Sequence, residues 1–336
     1  MRAARLYGRH DVRIEEVPTP VPGPGEVLVR VRAVAICPSD WRLYEDGHAG
    51  GVVPDHPIIQ GHEFSGDVVA HGPGVDGPPI GARVAVEPSW HCGHCDSCQR
   101  GLTHLCRNQV FPSFPQRDGA LAEYIACPAY ACCVLPEGIP YVHGALAEPL
   151  TVGLHALRLA APRPDEQVII LGAGMVGLSV LMCARAMGLP KIALVEPVQG
   201  RRQRAAALGA DPAVPTAEDL RAEALEGDVI FECAGEGAAV EQALSLARPS
   251  GRVVVVGIPH PERISFEADV PRRRELTIIF SRRSRGELQD ALSLMASSKI
   301  DLSRLPVREF PLEKTKEALD LTAARPGDAL RAVVLP

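Results

Sequence analysis

At Val168-Ile-Ile-Leu-Gly172-Ala-Gly174-Met-Val-Gly177 an apolar run meets three spaced glycines and then a stretch of helix formers. Few folds accept that order. The run predicts a buried strand, and small residues where it turns into a helix let the backbone approach a phosphate while unpaired helical N–H groups point at it. Glu196 closes the next apolar run, Ile192 to Val195. A carboxylate there can accept both ribose hydroxyls of an adenosine and repels a 2′-phosphate. The pattern therefore predicts a dinucleotide site that favours NAD, with NADP second. Arg201 stands close enough to soften the preference, or lies on a solvated helix face.

Around this motif, the runs Val168 to Leu171, Ile192 to Val195, Val229 to Glu232 and Val253 to Val256 alternate with helical stretches. Those stretches are Met175 to Met187, Arg201 to Leu208 and Gly237 to Ala247. Alternation of this kind predicts βαβ units and a parallel sheet. The first 140 residues or so read differently: short β-branched runs such as Val27 to Val34 and Asp67 to Ala70 are divided by Gly and Pro turns, an all-β texture. At 336 residues the chain exceeds what one core comfortably supports, so two domains are expected.

Ten cysteines raise the question of disulfides, but four of them crowd into Cys92-Gly-His-Cys95-Asp-Ser-Cys98 and Cys106. Nothing in Met1 to Gly25 supplies an apolar export segment, because Arg2, Arg5, Arg9, Asp11, Arg13, Glu15 and Glu16 interrupt it. A cytoplasmic chain with four thiols on one loop predicts a closed tetrahedral zinc site, which stiffens the loop and does no chemistry. Two disulfides or a redox pair are the alternative. No segment offers the ~20 uninterrupted apolar residues of a membrane span. The net charge of −6 has no basic stripe, which argues against nucleic acid as a partner.

Cys37, His62, Glu63 and Glu148 are too dispersed for spacing to unite them, and singly each reads as an ordinary core residue. Their local wording is more telling: Ile36-Cys37-Pro38-Ser39-Asp40, Gly61-His62-Glu63 and Ala147-Glu148-Pro149-Leu150. Together with the cysteine loop, Asp118-Gly-Ala-Leu-Ala-Glu-Tyr124 and the glycine turn, these resemble the zinc-dependent medium-chain dehydrogenases, in the sorbitol dehydrogenase-like polyol and threonine branch. The resemblance spans nearly the whole chain, in order.

It implies an α/β fold: a doubly wound Rossmann sheet plus a β-rich GroES-like catalytic domain. Residues 1–150 would form the catalytic domain with a zinc lobe at 85–110, residues 151–285 the NAD-binding domain, and residues 286–336 a return to the catalytic domain. It implies two zinc ions per subunit. Cys92, Cys95, Cys98 and Cys106 would hold the structural one, and Cys37 and His62 the catalytic one, with Glu63 and Glu148 competing for the third protein position. Thiolate, imidazole and carboxylate leave zinc enough positive charge to acidify an alcohol, whose carbinol hydride then passes to the nicotinamide. Ser39 would hydrogen-bond the substrate oxygen, and otherwise is a helix-cap serine. Met175 and Val176 with the three glycines, and Val256 and Ile258 farther on, would line the cofactor.

Two departures from the family pattern stand out. Pro38 follows the ligand cysteine where glycine is common, and Arg42 occupies a position where relatives often carry a proton-accepting histidine. An arginine does not release its proton at working pH, so any relay runs through water or through groups such as His48 or His56. Leu276-Thr-Ile-Ile-Phe280-Ser-Arg282-Arg283 resembles the strand before the substrate arginine of polyol enzymes, which makes Arg283 the candidate for binding hydroxyls or a carboxylate. Aromatic residues are only 4% of the chain, which argues against a pocket for greasy alcohols. The expected substrate is a polyol, sugar or sugar acid. A threonine-like amino alcohol, or a non-catalytic NAD-binding sensor, is the rival. By resemblance the apolar run 276–280 joins subunits, giving a homodimer or homotetramer.

Overall fold

The computed structural model describes residues 1–49, 51–259, 263–324 and 330–336. Contacts gather the chain into two compact units, Met1–Glu148 with Leu288–Pro336, and Pro149–Glu287.

The first unit is built on strand Glu26–Ala35, in which Val27, Val29 and Val31 point into the core at period two. From Ala33 onward every residue to Ile36 is buried, so both faces of the sheet are covered at this end. The sheet order is Val307–Pro311, Arg331–Leu335, Glu26–Ala35, Glu63–His71, Arg83–Val86, Cys132–Val134, with Tyr124–Pro128 also pairing on Glu26–Ala35. A three-stranded sheet, Asp11–Glu16, Arg2–Gly8 and Ile58–Ile59, completes it. The register sets Ala35 opposite Glu63 on one side and Val333 on the other. Residues distant in sequence are thereby drawn to one end of the central strand.

The second unit is a six-stranded parallel sheet in the order Ala213–Val214, Ile192–Val195, Val168–Leu171, Gly227–Glu232, Ala247–Val255, Thr277–Phe280. In sequence terms this is the doubly wound order 3-2-1-4-5-6. The strands at 168–171 and 192–195 are buried throughout, as their unbroken apolar runs predict. Helices Met175–Ala186, Gln199–Ala207 and Gly237–Leu246 lie within two residues of the expected stretches.

The sequence reading assigned nothing to residues 141–154, and there the structure has a twenty-residue helix, Tyr141–Ala160, with Pro149 inside it. Proline removes one helical hydrogen bond and ordinarily argues against a helix. Burial of Ala145, Leu146, Ala147, Leu150, Leu154, Ala156 and Leu157, each at most 4% exposed, outweighs that loss. Among the described residues, no helix is long and apolar enough to cross a membrane.

Candidate active site

In the first unit, one ligand atom each from Cys37, His62 and Glu63 lie within 4.8 Å of one another. Cys37 caps the helix Pro38–Asp46, which Pro38 can open because a first-turn residue has no N–H obligation. Asp40, one turn on, folds back: one carboxylate oxygen accepts the Cys37 N–H at 3.0 Å, and the other accepts from Gly61 N at 3.3 Å and Ser113 Oγ at 3.2 Å. That second oxygen is 3.5 Å from His62 Nδ1, so the ring's other nitrogen is the one available to a metal. Gly61 sits at φ 94°, and a Cβ there would lie 2.7 Å from Val34 Cγ1, so only glycine lets His62 enter here. The rings of Phe111 and His62 are 4.8 Å apart and supply an apolar flank.

Glu63 is 1% exposed. Its Oε1 accepts from Arg331 Nη2 at 2.6 Å, while its Oε2 is buried without a hydrogen-bond partner. Arg331 also donates to the Ile36 carbonyl at 2.9 Å. Burial works against a charged His62, but Asp40 and Cys37 together raise its pKa well above the ordinary value. Glu148, buried on the Tyr141–Ala160 helix, is pushed up to about 8 by burial and then by the Glu63 charge. A thiol, an imidazole and a carboxylate with one buried, unpartnered oxygen, their ligand atoms within 4.8 Å of one another, fit a zinc ion. Ser39, half-buried, occupies the first turn beside Cys37.

The second cluster fits zinc on geometry alone. The sulfur separations are Cys92–Cys98 4.0 Å, Cys95–Cys98 3.5 Å, Cys95–Cys106 3.8 Å and Cys92–Cys106 3.5 Å. Four sulfurs at ~2.3 Å from a tetrahedral ion lie ~3.8 Å apart. Hydrogen bonds at His94 and Cys95 draw Cys92 down to about 5, while desolvation and neighbouring thiols push Cys98 up to about 12. Four sulfurs so close can all ionise only around a cation. No disulfide joins any of the ten cysteines. Tyr130 steadies the lobe, its hydroxyl accepting from His91 N at 2.8 Å and donating to His91 O at 2.9 Å.

In the second unit the three glycines have separate physical reasons. Gly172 has φ 98°, and a Cβ on it would lie 3.0 Å from Ala234 N. Gly174 caps the Met175–Ala186 helix and nothing lies within 4 Å of where its Cβ would be, which leaves room for a pyrophosphate. A Cβ on Gly177 would stand 2.0 Å from the Gly172 carbonyl oxygen, so helix and strand pack only through glycine. Met175 and Val176 form the first turn. Glu196 is 4% exposed, one oxygen accepting from Ala173 N at 2.8 Å and the other from Val198 N at 2.9 Å. Its neighbour in space is Arg202, which donates to the carbonyls of Glu196 and Pro197. Val256 is buried and Ile258 is 58% exposed. Arg283 follows the Thr277–Phe280 strand with a left-handed φ of 52°.

Asp40, Arg331 and Ser113 escaped sequence reasoning as site residues. Asp40 stands within the quoted Cys37 segment, where a carboxylate three residues after a cysteine on a helix could have been noticed. Arg331, 268 residues from Glu63, carried no signal at all.

Residues 23–137 match the alcohol dehydrogenase GroES-like domain, and residues 175–297 match the zinc-binding dehydrogenase domain. The chain is 36% identical to sorbitol dehydrogenase of Bombyx mori over 99% of this chain and 97% of that one. The chain belongs to the zinc-dependent medium-chain dehydrogenases. It is also 33% identical to L-idonate 5-dehydrogenase of Vitis vinifera, over 98% of this chain and 93% of that one. Galactitol-1-phosphate dehydrogenase of Escherichia coli has the same fold at TM-score 0.90, 29% identity and full coverage of both chains. This medium-chain dehydrogenase therefore combines a GroES-like and a Rossmann fold, and is a zinc-dependent, NAD(P)-dependent alcohol dehydrogenase.

Proposed function

We propose that the chain oxidises a secondary alcohol of a polyol, sugar or sugar acid with NAD, and runs the reverse reduction. The observation that carries this is the convergence of Cys37, His62 and Glu63, one ligand atom each within 4.8 Å of the others, with Glu63 Oε2 buried and without a hydrogen-bond partner. Sorbitol, idonate and galactitol 1-phosphate, in the names of the relatives, share a vicinal hydroxyl next to a secondary carbinol, which sets the substrate class.

Cys37, His62 and Glu63 would hold the catalytic zinc, and Cys92, Cys95, Cys98 and Cys106 the structural one. When bound, the catalytic ion supplies Lewis acidity that lowers the pKa of an alcohol. The chain's own residues do the rest. Asp40 orients His62 and favours its charge-sharing with the cluster. Arg331 holds one oxygen of Glu63, and the other, without a hydrogen-bond partner, would be available as a ligand. Glu148 lies near enough for its charge and that of Glu63 to oppose each other, and is the reserve carboxylate. Ser39 accepts the alcohol proton and passes it to water, since Arg42 cannot take it. Glu196 selects the unphosphorylated adenosine ribose, and Arg283 binds substrate hydroxyls or a carboxylate. We place the domain boundaries at the edges of the two compact units, and assign a homo-oligomer joined through 276–280, in the cytoplasm.

The test is a plate of zinc-replete protein, NAD and alcohols, read by NADH absorbance. Turnover with sorbitol, xylitol or a hexonate supports the proposal. Turnover with threonine alone replaces it with amino-alcohol oxidation, and NADH binding without turnover of any alcohol replaces it with a sensor.

A further inference from the structure

We infer that Glu232, a buried carboxylate outside the chemistry above, is a positioning residue for the dinucleotide, clamping together the loops that leave three adjacent strands of the parallel sheet. The inference rests on the reading of Gly172 to Gly177 as the pyrophosphate turn.

Strand Gly227–Glu232 lies beside Val168–Leu171, and the chain's next step from Val168–Leu171 goes to Ile192–Val195 on the opposite side. This is the switch point of the sheet, outside whose carboxyl ends ligands bind in doubly wound folds. Glu232 ends its strand there and is 0% exposed. Its Oε1 accepts from the N–H groups of both Ala234, at 2.8 Å, and Gly235, at 2.7 Å. Its main-chain carbonyl accepts from Val256 and Gly257, each at 2.9 Å. Its Oε2 makes no hydrogen bond and stands 2.8 Å from where a Cβ on Gly257 would be.

One residue thus fixes the 233–235 loop against two others. On one side is the glycine turn, where a Cβ on Gly172 would lie 3.0 Å from Ala234 N and one on Gly177 3.4 Å from Cys233 Cβ. On the other is the loop carrying Val256 and Ile258, where a Cβ on Gly235 would lie 2.9 Å from Ile258 O. Such clearances leave no slack: if the 233–235 loop moves, the pyrophosphate turn and the 256–258 loop lose their spacing. Glu232 gives the two converging N–H groups of this half-exposed loop a fixed, buried acceptor in place of mobile water, which holds the loop in one geometry. Burial raises the carboxyl's pKa, and the N–H groups of Gly235 and Ala234 oppose that rise.

The experiment measures NADH affinity by fluorescence titration on zinc-loaded, full-length Glu232→Ala, Glu232→Gln and Gly174→Val, together with steady-state kinetics and zinc content. Glu232→Ala should raise the NADH Kd and the KM for NAD about tenfold or more. The kcat at saturating NAD and the zinc content should hold, a split that simple unfolding does not produce. Glu232→Gln keeps the accepting oxygen and should return Kd to within about threefold of the parent. If the alanine variant does not fold, Gly257→Ala replaces it. Its Cβ would press on Gly235 N at 2.4 Å, and it should weaken NADH by about tenfold with Glu232 intact. Affinity unchanged in the Glu232→Ala or replacing Gly257→Ala variant overturns the clamp, as does a glutamine variant no better than alanine. If Gly174→Val leaves NADH binding intact, the glycine-turn reading fails; if it abolishes binding while Glu232→Ala does not, only the clamp fails.

Discussion

Replacing Arg331 with methionine should be among the most damaging single changes in the first unit, and its cost can be worked from the contact it breaks. Arg331 Nη2 and Glu63 Oε1 are 2.6 Å apart, with side chains only 4% and 1% exposed, so water screens the pair very little. Truncating one member of a buried pair leaves the other charge uncompensated and costs about 3–5 kcal/mol. The Ile36 carbonyl also loses its donor, a further loss of about 1 kcal/mol. For a chain of this size each kcal/mol moves Tm by roughly 2 °C, so the zinc-free variant should melt about 8–12 °C below the parent. Added zinc should recover part of that, because the ion neutralises the same carboxylate. The double variant Glu63→Gln/Arg331→Met should melt above Arg331→Met, since it removes the stranded charge. Calorimetry of the parent, Arg331→Met and the double variant, with and without zinc, decides the matter. A single-variant Tm within about 2 °C of the parent, or a double variant less stable than Arg331→Met, would refute the reasoning.

Other consequences are as direct. Cys37→Ala should abolish alcohol oxidation and reduce bound zinc from two ions to one, measured by atomic absorption, while NADH titration shows binding retained. Glu196→Ala should raise the KM for NAD about tenfold or more and lower the preference over NADP, measured by steady-state kinetics with each cofactor. In the second unit, the His155 ring and the Arg285 N–H hold the Glu287 carboxyl below the usual value of 4.5, against a burial effect acting the other way. A carboxylate with a depressed folded-state pKa stabilises above its unfolded pKa and loses that contribution as pH falls through the folded one. Glu287→Gln should therefore melt below the parent at pH 7, with the gap closing below about pH 4.5 in a thermal series.

Much of the fold was legible because its signals are local. The buried parallel strands appear as unbroken apolar runs, and at 168–171 and 192–195 the expected and observed limits coincide. The glycine turn was equally plain, since each glycine answers a local backbone constraint. The Tyr141–Ala160 helix was missed because Pro149 is a local signal against a helix, and the burial that overrides it comes from contacts distant in sequence. The cysteine loop was readable for the opposite reason: all four thiols fall within fifteen residues.

Sequence alone determined the chemical vocabulary: a thiol, an imidazole and two carboxylates in telling local contexts, a four-thiol loop, and a glycine turn followed by an acidic strand end. It left the two carboxylates equivalent. The tertiary structure gives them different surroundings, because strand pairing sets Glu63 opposite Ala35 and brings the Arg331 strand alongside. One oxygen of Glu63 is thereby bound by Arg331 and the other is buried without a partner, in a residue that clusters with Cys37 and His62, while Glu148 lies on the Tyr141–Ala160 helix. The same holds for Asp40, whose role as the brace behind His62 depends on the turn that Gly61 permits. Which side-chain chemistries are present is a property of residues, readable one at a time. Ligand geometry is a property of pairings across hundreds of residues, which no local pattern encodes.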